Sequence, residues 1–247
     1  MLQDTQNSQP ESGKDQPLLI VARNLACQRG GRTIFTGLDL DLADGEALLV
    51  RGPNGCGKSS LLRVLSGLLR PAGGTLGWPA APEEETAALH LHYLGHQNAF
   101  KSVFTVRENL ASWAGAERNP EREELALATF QLEKLADTPA HLLSSGQGRR
   151  LALARLLAVH RPLWLLDEPS VGLDVASVKL LEQAVETHRQ NGGGVILTTH
   201  TPVELEQSRI LDLAPYSKTD LQRKASTGPG EDSRSGKTEW KDEDPWF

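Results

Sequence analysis

The sequence predicts an α/β fold with a mainly parallel central sheet. Short apolar runs typical of buried strands alternate with segments whose apolar residues recur at helical spacing, and this alternation is typical of parallel sheets. The 247 residues are enough for one sizeable hydrophobic core. No internal repeat is evident. We therefore expect a single α/β domain.

The two ends of the chain differ from the middle in composition. Residues 1–16 and 216–247 are polar, charged and rich in Gly, Ser and Pro. Such segments bury too little apolar area to offset the entropy of ordering. We expect disordered tails on either side of a domain over residues 17–215.

Strands are predicted to dominate the first part of this domain. Residues 37–50 ("GLDLDLADGEALLV") combine a period-2 run, an Asp44–Gly45 turn and a second apolar run, which predicts a hairpin in an antiparallel N-terminal β region. Residues 58–70 place leucines at helical spacing. A strand-to-helix junction therefore lies between the two segments.

A helical subdomain is predicted to be inserted over about residues 98–143. Thr105 with Glu108 matches a capping box, and Asn119 with Pro120 matches the start of a second helix. The predicted order after the insertion is a helix, a buried strand over 163–168, a helix, a strand over 194–200 and a short helix starting near Thr201.

Charge and cysteine content narrow the function classes. A formal net charge of −6 disfavours a nucleic-acid binder with a broad basic face, so phosphate groups must be held locally. Two cysteines and no basic-then-apolar leader predict a reducing, cytosolic compartment. No apolar run approaches the roughly 18 residues that cross a bilayer. Any role at a membrane therefore requires a partner.

The glycine-rich junction is the strongest functional motif. "GPNGCGKS" fits G-x-x-x-x-G-K-[ST], in which backbone N–H groups surround a phosphate and the lysine neutralises its β and γ oxygens. Ser59 is then predicted to hold Mg²⁺, and the alternative is a glycine-rich turn without a ligand. The residues predicted to bind nucleotide are Gly52, Pro53, Asn54, Gly55, Cys56, Gly57, Lys58, Ser59 and Ser60.

A second motif is the acidic pair at the end of "LWLLDEP". The apolar run predicts a buried strand that places Asp167 and Glu168 at its carboxyl end, where open α/β sheets bind ligands. Asp167 suits the coordination sphere of Mg²⁺, and Glu168 is suited to accept a proton from, or orient, an attacking water. A solvated acidic turn is the alternative, but it does not explain the apolar run.

Taken in order, the motifs resemble those of the ATP-binding subunits of ABC transporters. The resemblance covers about residues 18–214 and is carried by "GPNGCGKS", "GHQ", "LSSGQ", "LLDEP", "VGLD" and "TTH". It implies the ABC-type ATPase fold, one of the P-loop NTPases, with ATP and Mg²⁺ as cofactors. It also implies that Gln97 contacts Mg²⁺ and the attacking water and senses a membrane partner, and that His200 contacts the γ-phosphate.

The "LSSGQ" segment precedes a long apolar helix. Ser144, Ser145, Gly146 and Gln147 therefore combine hydroxyls with free N–H groups in a second anion site, and a structural N-cap is compatible with this role. The resemblance implies that this site closes over the nucleotide of an opposite subunit, so hydrolysis requires a dimer. Ser145 replaces the glycine more usual in the family.

One departure from the family pattern points to a narrower group. Arg29 stands where many members place an adenine-stacking aromatic residue, and a guanidinium plane also stacks on a base. With "GHQNAFKSVFTVRENL", "LALARL" and "ILTTHTP", this arginine resembles the ATPases of the cytochrome c maturation system.

That narrower resemblance implies a peripheral ATPase on the cytoplasmic face of the inner membrane. The partners it implies are an integral-membrane permease subunit (CcmB-like) and other cytochrome c maturation proteins, with hydrolysis linked to haem export and delivery. Two alternatives stay open: an ABC subunit that exports a lipid or drug, and a non-transport ATPase that acts on ribosomes or DNA. We expect no nucleic-acid partner.

Cysteine and histidine side chains carry weaker hypotheses. Cys56 lies at a predicted helix N-terminus beside Lys58, and both influences lower a thiol pKa. Alkylation of Cys56 is then expected to block ATP binding, unless the cysteine is only a small residue that fits. His90, His92 and His96 are expected to be ordinary histidines rather than haem or metal ligands.

Overall fold

Two β-sheets and five α-helices make up the part of the chain that the structure describes. This computed structural model describes residues 17–81, 90–199 and 203–217. The strands are β1 (Leu18–Arg29), β2 (Arg32–Ala43), β3 (Ala47–Arg51), β4 (Gly73–Gly77), β5 (Leu91–Leu94), β6 (Leu163–Asp167), β7 (Gly194–Thr198) and β8 (Arg209–Asp212). The helices are α1 (Lys58–Leu65), α2 (Val106–Ala114), α3 (Pro120–Thr129), α4 (Ser145–Ala158) and α5 (Val175–Gln190). Single 3₁₀ turns cover Gly115–Glu117, Glu133–Leu135, Ala140–Leu142 and Ala214–Tyr216.

The larger sheet is parallel throughout, as the sequence predicts. Its strand order is β5-β6-β7-β3-β8, and every neighbouring pair is parallel. All residues of β6 and β7 are buried, because their apolar runs are covered by helices or strands on both faces. The carboxyl ends of β3, β6 and β7 consequently meet at one edge, where the predicted site residues begin.

The smaller sheet is antiparallel, with strand order β2-β1-β4. Gly30 and Gly31 join β1 to β2 with φ values of 54° and 73°, the left-handed backbone of a tight hairpin turn. The hairpin predicted over residues 37–50 is wrong, because β2 pairs with β1 and β3 enters the parallel sheet. Gly45 (φ 73°) turns the chain from one sheet to the other. The four apolar residues of β3 need burial on both faces, which only the parallel sheet provides.

The helical subdomain forms as predicted and packs on α4. Thr105 and Glu108 form a complete capping box at α2, and Asn119 caps α3 with Pro120 at its first position. α2 and α3 both contact α4. In the described ranges, no helix is long and apolar enough to cross a bilayer.

Alternate residues of the central strands divide the interior into two cores. Leu166 and Leu197 pack with the helical subdomain and α5, whereas Leu165 and Ile196 pack with α1 and the antiparallel sheet. This period of two follows from the pleat of a strand buried on both faces. The parallel sheet is thus packed on one face by the helical subdomain and α5 and on the other by α1 and the antiparallel sheet.

The last described segment differs from two predictions. Residues 203–208 are irregular with one turn at residues 206–207, rather than the predicted short helix, whose start near Thr201 lies outside the described residues. Ser217 is only 3% exposed and its backbone pairs with Phe35, so the folded domain extends past residue 215. Residues 1–16 and 218–247, the remainder of the predicted tails, lie outside the described residues.

Candidate active site

The glycine-rich loop connects β3 to α1 in a conformation that excludes larger side chains. Gly57 caps α1 with φ 108°, and a Cβ on it would lie 2.5 Å from Cγ2 of Ile34. Gly52 has φ 144°, and a Cβ there would lie 2.7 Å from Sγ of Cys56. Both positions therefore require glycine, and Ile34 of β2 packs against the loop at Gly57. The N–H of Cys56 donates to the carbonyl oxygen of Pro53 (3.2 Å), and the N-terminus of α1 that follows suits an anion.

The lysine of the loop is held inside it. Lys58 is 7% exposed, and its ammonium donates hydrogen bonds to the carbonyl oxygens of Gly52 (2.9 Å) and Pro53 (3.4 Å). Two backbone carbonyls therefore fix a positive charge within the loop. This is the placement that a phosphate-neutralising lysine requires.

A buried carboxylate joins three elements beside the loop. Oδ1 of Asp167 accepts hydrogen bonds from Oγ of Ser59 (3.0 Å) and Oγ1 of Thr198 (2.9 Å), and Asp167 is 3% exposed. A hydroxyl beside a carboxylate is the oxygen pair that Mg²⁺ prefers when phosphates supply further ligands. Among the described residues, no cluster of three or more His, Cys, Asp or Glu could hold a metal by itself. Ser59 and Asp167 therefore fit Mg²⁺ only together with a bound phosphate.

Thr198 is a site residue that the sequence argument missed. It is fully buried at the carboxyl end of β7, between β6 and β3. The signal that could have found it is a polar residue that ends a buried apolar strand parallel to the one carrying Asp167.

Glu168 lies in an unusual backbone conformation directly after β6. Its φ is 50°, a left-handed value that is strained for a residue with a side chain. Its backbone N–H donates to the carbonyl oxygen (3.2 Å) and to Oγ1 (3.0 Å) of Thr198. The strain is held by its surroundings, which is typical of residues at functional sites.

A buried arginine, also missed by the sequence argument, links the acidic pair to the segment after β5. Arg149 is the fifth residue of α4 and is 3% exposed. Its guanidinium donates to the carbonyl oxygens of Asp167 (3.4 Å), Glu168 (2.8 Å) and Pro169 (3.1 Å). Burial lowers the pKa of Arg149, and the charge of Asp167 opposes that shift. A charged residue in the apolar stripe of a predicted helix was the available signal.

The same guanidinium also holds both sides of Gln97. Nη1 of Arg149 donates to the carbonyl oxygen of Gly95 (3.1 Å) and to Oδ1 of Asn98 (3.2 Å). Gln97 lies between these two anchored residues, and it is exposed. Because β5 neighbours β6, this segment leaves the sheet at the edge where Glu168 lies. His200, which the resemblance places at the γ-phosphate, lies outside the described residues.

The "LSSGQ" segment forms an N-cap, as its alternative interpretation predicts. Oγ of Ser144 accepts from the N–H of Gln147 (3.2 Å), and Oε1 of Gln147 accepts from the N–H of Ser144 (2.8 Å). Ser144 and Ser145 are exposed. α4 packs against β5, which is three strands from β3, about 14 Å at the usual strand spacing. The segment begins a helix that packs on the β5 side of the sheet, whereas the phosphate-binding loop follows β3.

The turn after Glu168 approaches the start of α4. A Cβ on Gly146 would lie 3.4 Å from the carbonyl oxygen of Gly172. Asp174 caps α5, and its Oδ1 accepts from the N–H of Ser177 at 2.7 Å. Hydrogen bonding from the Ser177 side chain, and then from its backbone N–H, lowers the pKa of Asp174. The start of α4 therefore lies close to the backbone of this turn.

Arg29 is exposed at the end of β1, beside the hairpin turn. The partner strand β2 brings Ile34 and Phe35 against Gly57 of the loop. The hairpin therefore lies next to the phosphate-binding loop, where Arg29 is available to a base.

Cys56 does not have the low pKa that its sequence position suggests. It is 3% exposed, and burial raises its pKa against the opposing influence of Lys58. The expectation of a lowered thiol pKa is wrong, because the loop closes over the sulfur. Cys56 is a small residue that packs beneath Gly52.

A cavity of about 350 Å³ lies between β5 and the helical subdomain. Arg155 lies at its wall, where Nη2 donates to the carbonyl oxygen of Tyr93 (2.6 Å) and the guanidinium lies 5.4 Å from the ring centre of Trp113. Nε of Arg155 is buried without a hydrogen-bond partner in the described part of the chain. The cavity is lined by Ser66, Leu68, Leu91, His92, Tyr93, Trp113, Arg155, Val159 and Arg161.

Comparisons with known proteins agree with this arrangement. A family model described as "ABC transporter" matches residues 35–171. "Cytochrome c biogenesis ATP-binding export protein CcmA" of Paramagnetospirillum magneticum is 50% identical over 204 residues, 79% of this chain and 94% of the relative. The protein of the same name from Rhodospirillum rubrum is 46% identical over 207 residues, 82% of this chain and 89% of the relative. A putative ABC transporter ATP-binding protein from Pyrococcus furiosus has the same fold, with a TM-score of 0.71, 23% identity, and coverage of 81% of this chain and 99% of its own.

Proposed function

The chain belongs to the ATP-binding proteins of ABC transporters and, among them, to the CcmA family of cytochrome c biogenesis export proteins, and from this premise we propose that it hydrolyses ATP at the loop of Lys58 to drive haem export. The observation that carries the proposal is the convergence of Lys58, Ser59 and Asp167. These residues supply a fixed cation, a hydroxyl and a buried carboxylate at the edge of one parallel sheet. This set suits a nucleoside triphosphate that carries Mg²⁺.

In the proposed reaction, different residues at this edge of the parallel sheet bind phosphate, bind Mg²⁺ and orient water. The loop amides and Lys58 neutralise the β and γ phosphates. Ser59 and Asp167 hold Mg²⁺, which supplies electrostatic stabilisation of the terminal phosphoryl group when bound. Glu168 orients the attacking water or accepts its proton, and Gln97 contacts that water from the neighbouring strand. We propose that His200 contacts the γ-phosphate.

We propose that two copies of the chain act as a dimer. Each copy carries one phosphate-binding loop and one segment over residues 144–146 at the start of α4, in which both serines are exposed. These lie on different parts of one domain, so one copy's segment serves best when it faces the loop of another copy. The N-terminus of α4 then adds a positive dipole end to the phosphates of the facing copy.

The cavity beside β5 is the proposed binding site for a membrane partner. Apolar Leu68 and Trp113 share its wall with Arg155 and Arg161, and Arg155 keeps one buried N–H without a partner within the described ranges. An amphipathic segment with an acidic end matches this mixture of apolar and cationic groups. We propose that a CcmB-like integral-membrane permease docks here, and that β5 connects its docking to Gln97. The chain would then act at the cytoplasmic face of the inner membrane, with other cytochrome c maturation proteins.

Haem-stained c-type cytochromes provide the test in living cells. Deletion of the gene should abolish them, and the unaltered chain should restore them while Lys58→Ala does not. Recovery of the permease with the chain from solubilised membranes should accompany this result. Normal c-type cytochromes in the deletion strain, together with recovery of an unrelated permease, would show that the cassette exports another substrate.

A further inference from the structure

Arg149 joins the two segments that flank the proposed reaction centre. Its Nη1 donates to Gly95 and Asn98, on either side of Gln97. Its Nη2 and Nε donate to the carbonyl oxygens of Asp167, Glu168 and Pro169. All five acceptors are carbonyl or amide oxygens, so the guanidinium uses its planar set of donors to hold backbone positions rather than to pair with a carboxylate.

We propose that Arg149 is a positioning residue for ATP hydrolysis, which sets Glu168 and Gln97 relative to each other. The shortest of its bonds, 2.8 Å, holds the carbonyl of Glu168, whose φ of 50° needs such restraint. A hydrogen bond from a charged group to a buried carbonyl is among the stronger contacts available for this purpose. Arg149 therefore restrains the backbone on which the water-orienting carboxylate stands.

The arginine also provides a route from the membrane partner to the reaction. The proposed docking cavity is lined by residues of β5, and β5 leads directly into Gly95 and Asn98. Movement of that segment changes the position of Arg149 and, through it, of Glu168. This inference rests on the proposed roles of Glu168 and Gln97. It adds a residue whose proposed role depends only on its bonds to protein oxygens.

Replacement by glutamine isolates the positioning role. Arg149→Gln removes most of the donors, and we expect kcat to fall about 10- to 100-fold while the Kd for Mg-ATP changes less than about threefold, because positioning fails but the loop stays intact. The matched control is Arg150→Gln, whose guanidinium donates to the carbonyl oxygens of Phe130 and Gln131. That control should keep kcat within about twofold. A kcat for Arg149→Gln equal to that of the control would overturn the proposal.

A purely structural role predicts a different pattern. Loss of fold would weaken ATP binding and kcat together, so parallel loss of both in thermally stable Arg149→Gln would also overturn the proposal. If Arg149→Gln does not fold, Arg149→Lys gives the answer, since its ammonium can serve only some of the five acceptors. We expect a folded Arg149→Lys to bind ATP normally with an intermediate kcat, and a kcat equal to that of the unaltered chain would contradict us.

The Asn98 contact allows a double-mutant cycle. Asn98→Ala and Arg149→Gln should be non-additive in kcat, because the arginine acts partly through Oδ1 of Asn98. Additive effects would separate Arg149 from the Gln97 segment and contradict the proposed link. Glu168→Gln shows whether the proposed function itself fails. Normal turnover in Glu168→Gln would contradict the proposed role of Glu168. Loss of turnover in Glu168→Gln, together with normal turnover in Arg149→Gln, would contradict only the proposed role of Arg149.

Discussion

The Ser59 hydroxyl donates a 3.0 Å hydrogen bond to the Asp167 carboxylate, although the two residues are 108 positions apart in the chain. Ser59 is the second residue of α1, the helix after β3, and Asp167 ends β6. The parallel sheet brings both to one edge, since β7 alone separates β3 from β6. The hydroxyl is therefore oriented before any nucleotide arrives, which reduces the reorganisation that Mg²⁺ binding requires.

We predict that Ser59→Ala raises the Mg²⁺ concentration needed for half-maximal ATPase activity about tenfold, because one oxygen of the pair is lost. Titration of activity with Mg²⁺ at fixed ATP measures this. Ser112→Ala is the control, since the Ser112 hydroxyl lies in the helical subdomain and accepts a hydrogen bond from the Lys101 ammonium (3.0 Å). An unchanged Mg²⁺ requirement in Ser59→Ala would remove Ser59 from the metal site.

Glu168→Gln should separate binding from turnover. The amide keeps the size of the side chain but cannot take a proton, so we expect kcat to fall by at least about 100-fold with little change in ATP affinity. Phosphate release and equilibrium nucleotide binding are the two measurements. Because ATP then persists in the site, the variant should also favour the dimer in size-exclusion chromatography with Mg-ATP. Near-normal phosphate release would exclude Glu168 as the residue that activates water.

Gly57→Ala should damage the loop through contact as well as through backbone strain. Its φ is 108°, and the new Cβ would meet Cγ2 of Ile34 at 2.5 Å. Gly55→Ala introduces strain alone, because a Cβ there meets nothing within 4 Å among the described residues. We expect unfolding free energy to fall by about 1–3 kcal/mol for Gly57→Ala and by less for Gly55→Ala. Partial recovery in Gly57→Ala with Ile34→Ala, measured by urea unfolding, would confirm the contact.

Cys56 should react slowly with iodoacetamide. Burial raises its pKa and covers the sulfur, so the thiolate is both scarce and inaccessible at pH 7.5. We expect its alkylation to be at least about tenfold slower than that of free cysteine and to be slowed further by Mg-ATP. Mass spectrometry of timed samples gives both rates. Alkylation as fast as free cysteine would restore the expectation of a lowered pKa.

Local patterns predicted their elements well. The capping box at Thr105, the N-cap at Ser144 and the glycine-rich loop before α1 each involve residues only a few positions apart, so the local sequence contains all their partners. The predicted hairpin over residues 37–50 failed because a turn at Gly45 is equally compatible with one sheet or two. Strand pairing depends on burial of β3 from both faces, which is a property of the whole fold.

Local sequence patterns also could not identify Thr198 and Arg149 as site residues, because their roles depend on the whole fold. Thr198 acquires its role from Asp167, 31 positions away, and Arg149 acquires its role from partners 18 or more positions away. The pKa of Cys56 was predicted in the wrong direction because burial, which is set by Gly52 and β2, outweighs the nearby lysine. Spacing identifies residues that contact a ligand directly more readily than residues that support them.

A buried histidine should make the stability of the domain depend on pH. His188 stacks on Trp164 with ring centres 3.9 Å apart, and burial lowers its pKa from 6.5 to about 4. The unfolded chain then binds more protons between these values, so unfolding free energy falls as pH decreases from 7 to 5, by about 2 kcal/mol from this residue. His188→Phe keeps a ring against Trp164 without a proton site, and its urea-unfolding midpoint should change less between pH 7 and pH 5. An equal change in both proteins would place the acid sensitivity elsewhere, with His92, whose pKa burial lowers to about 3, as the next residue to replace.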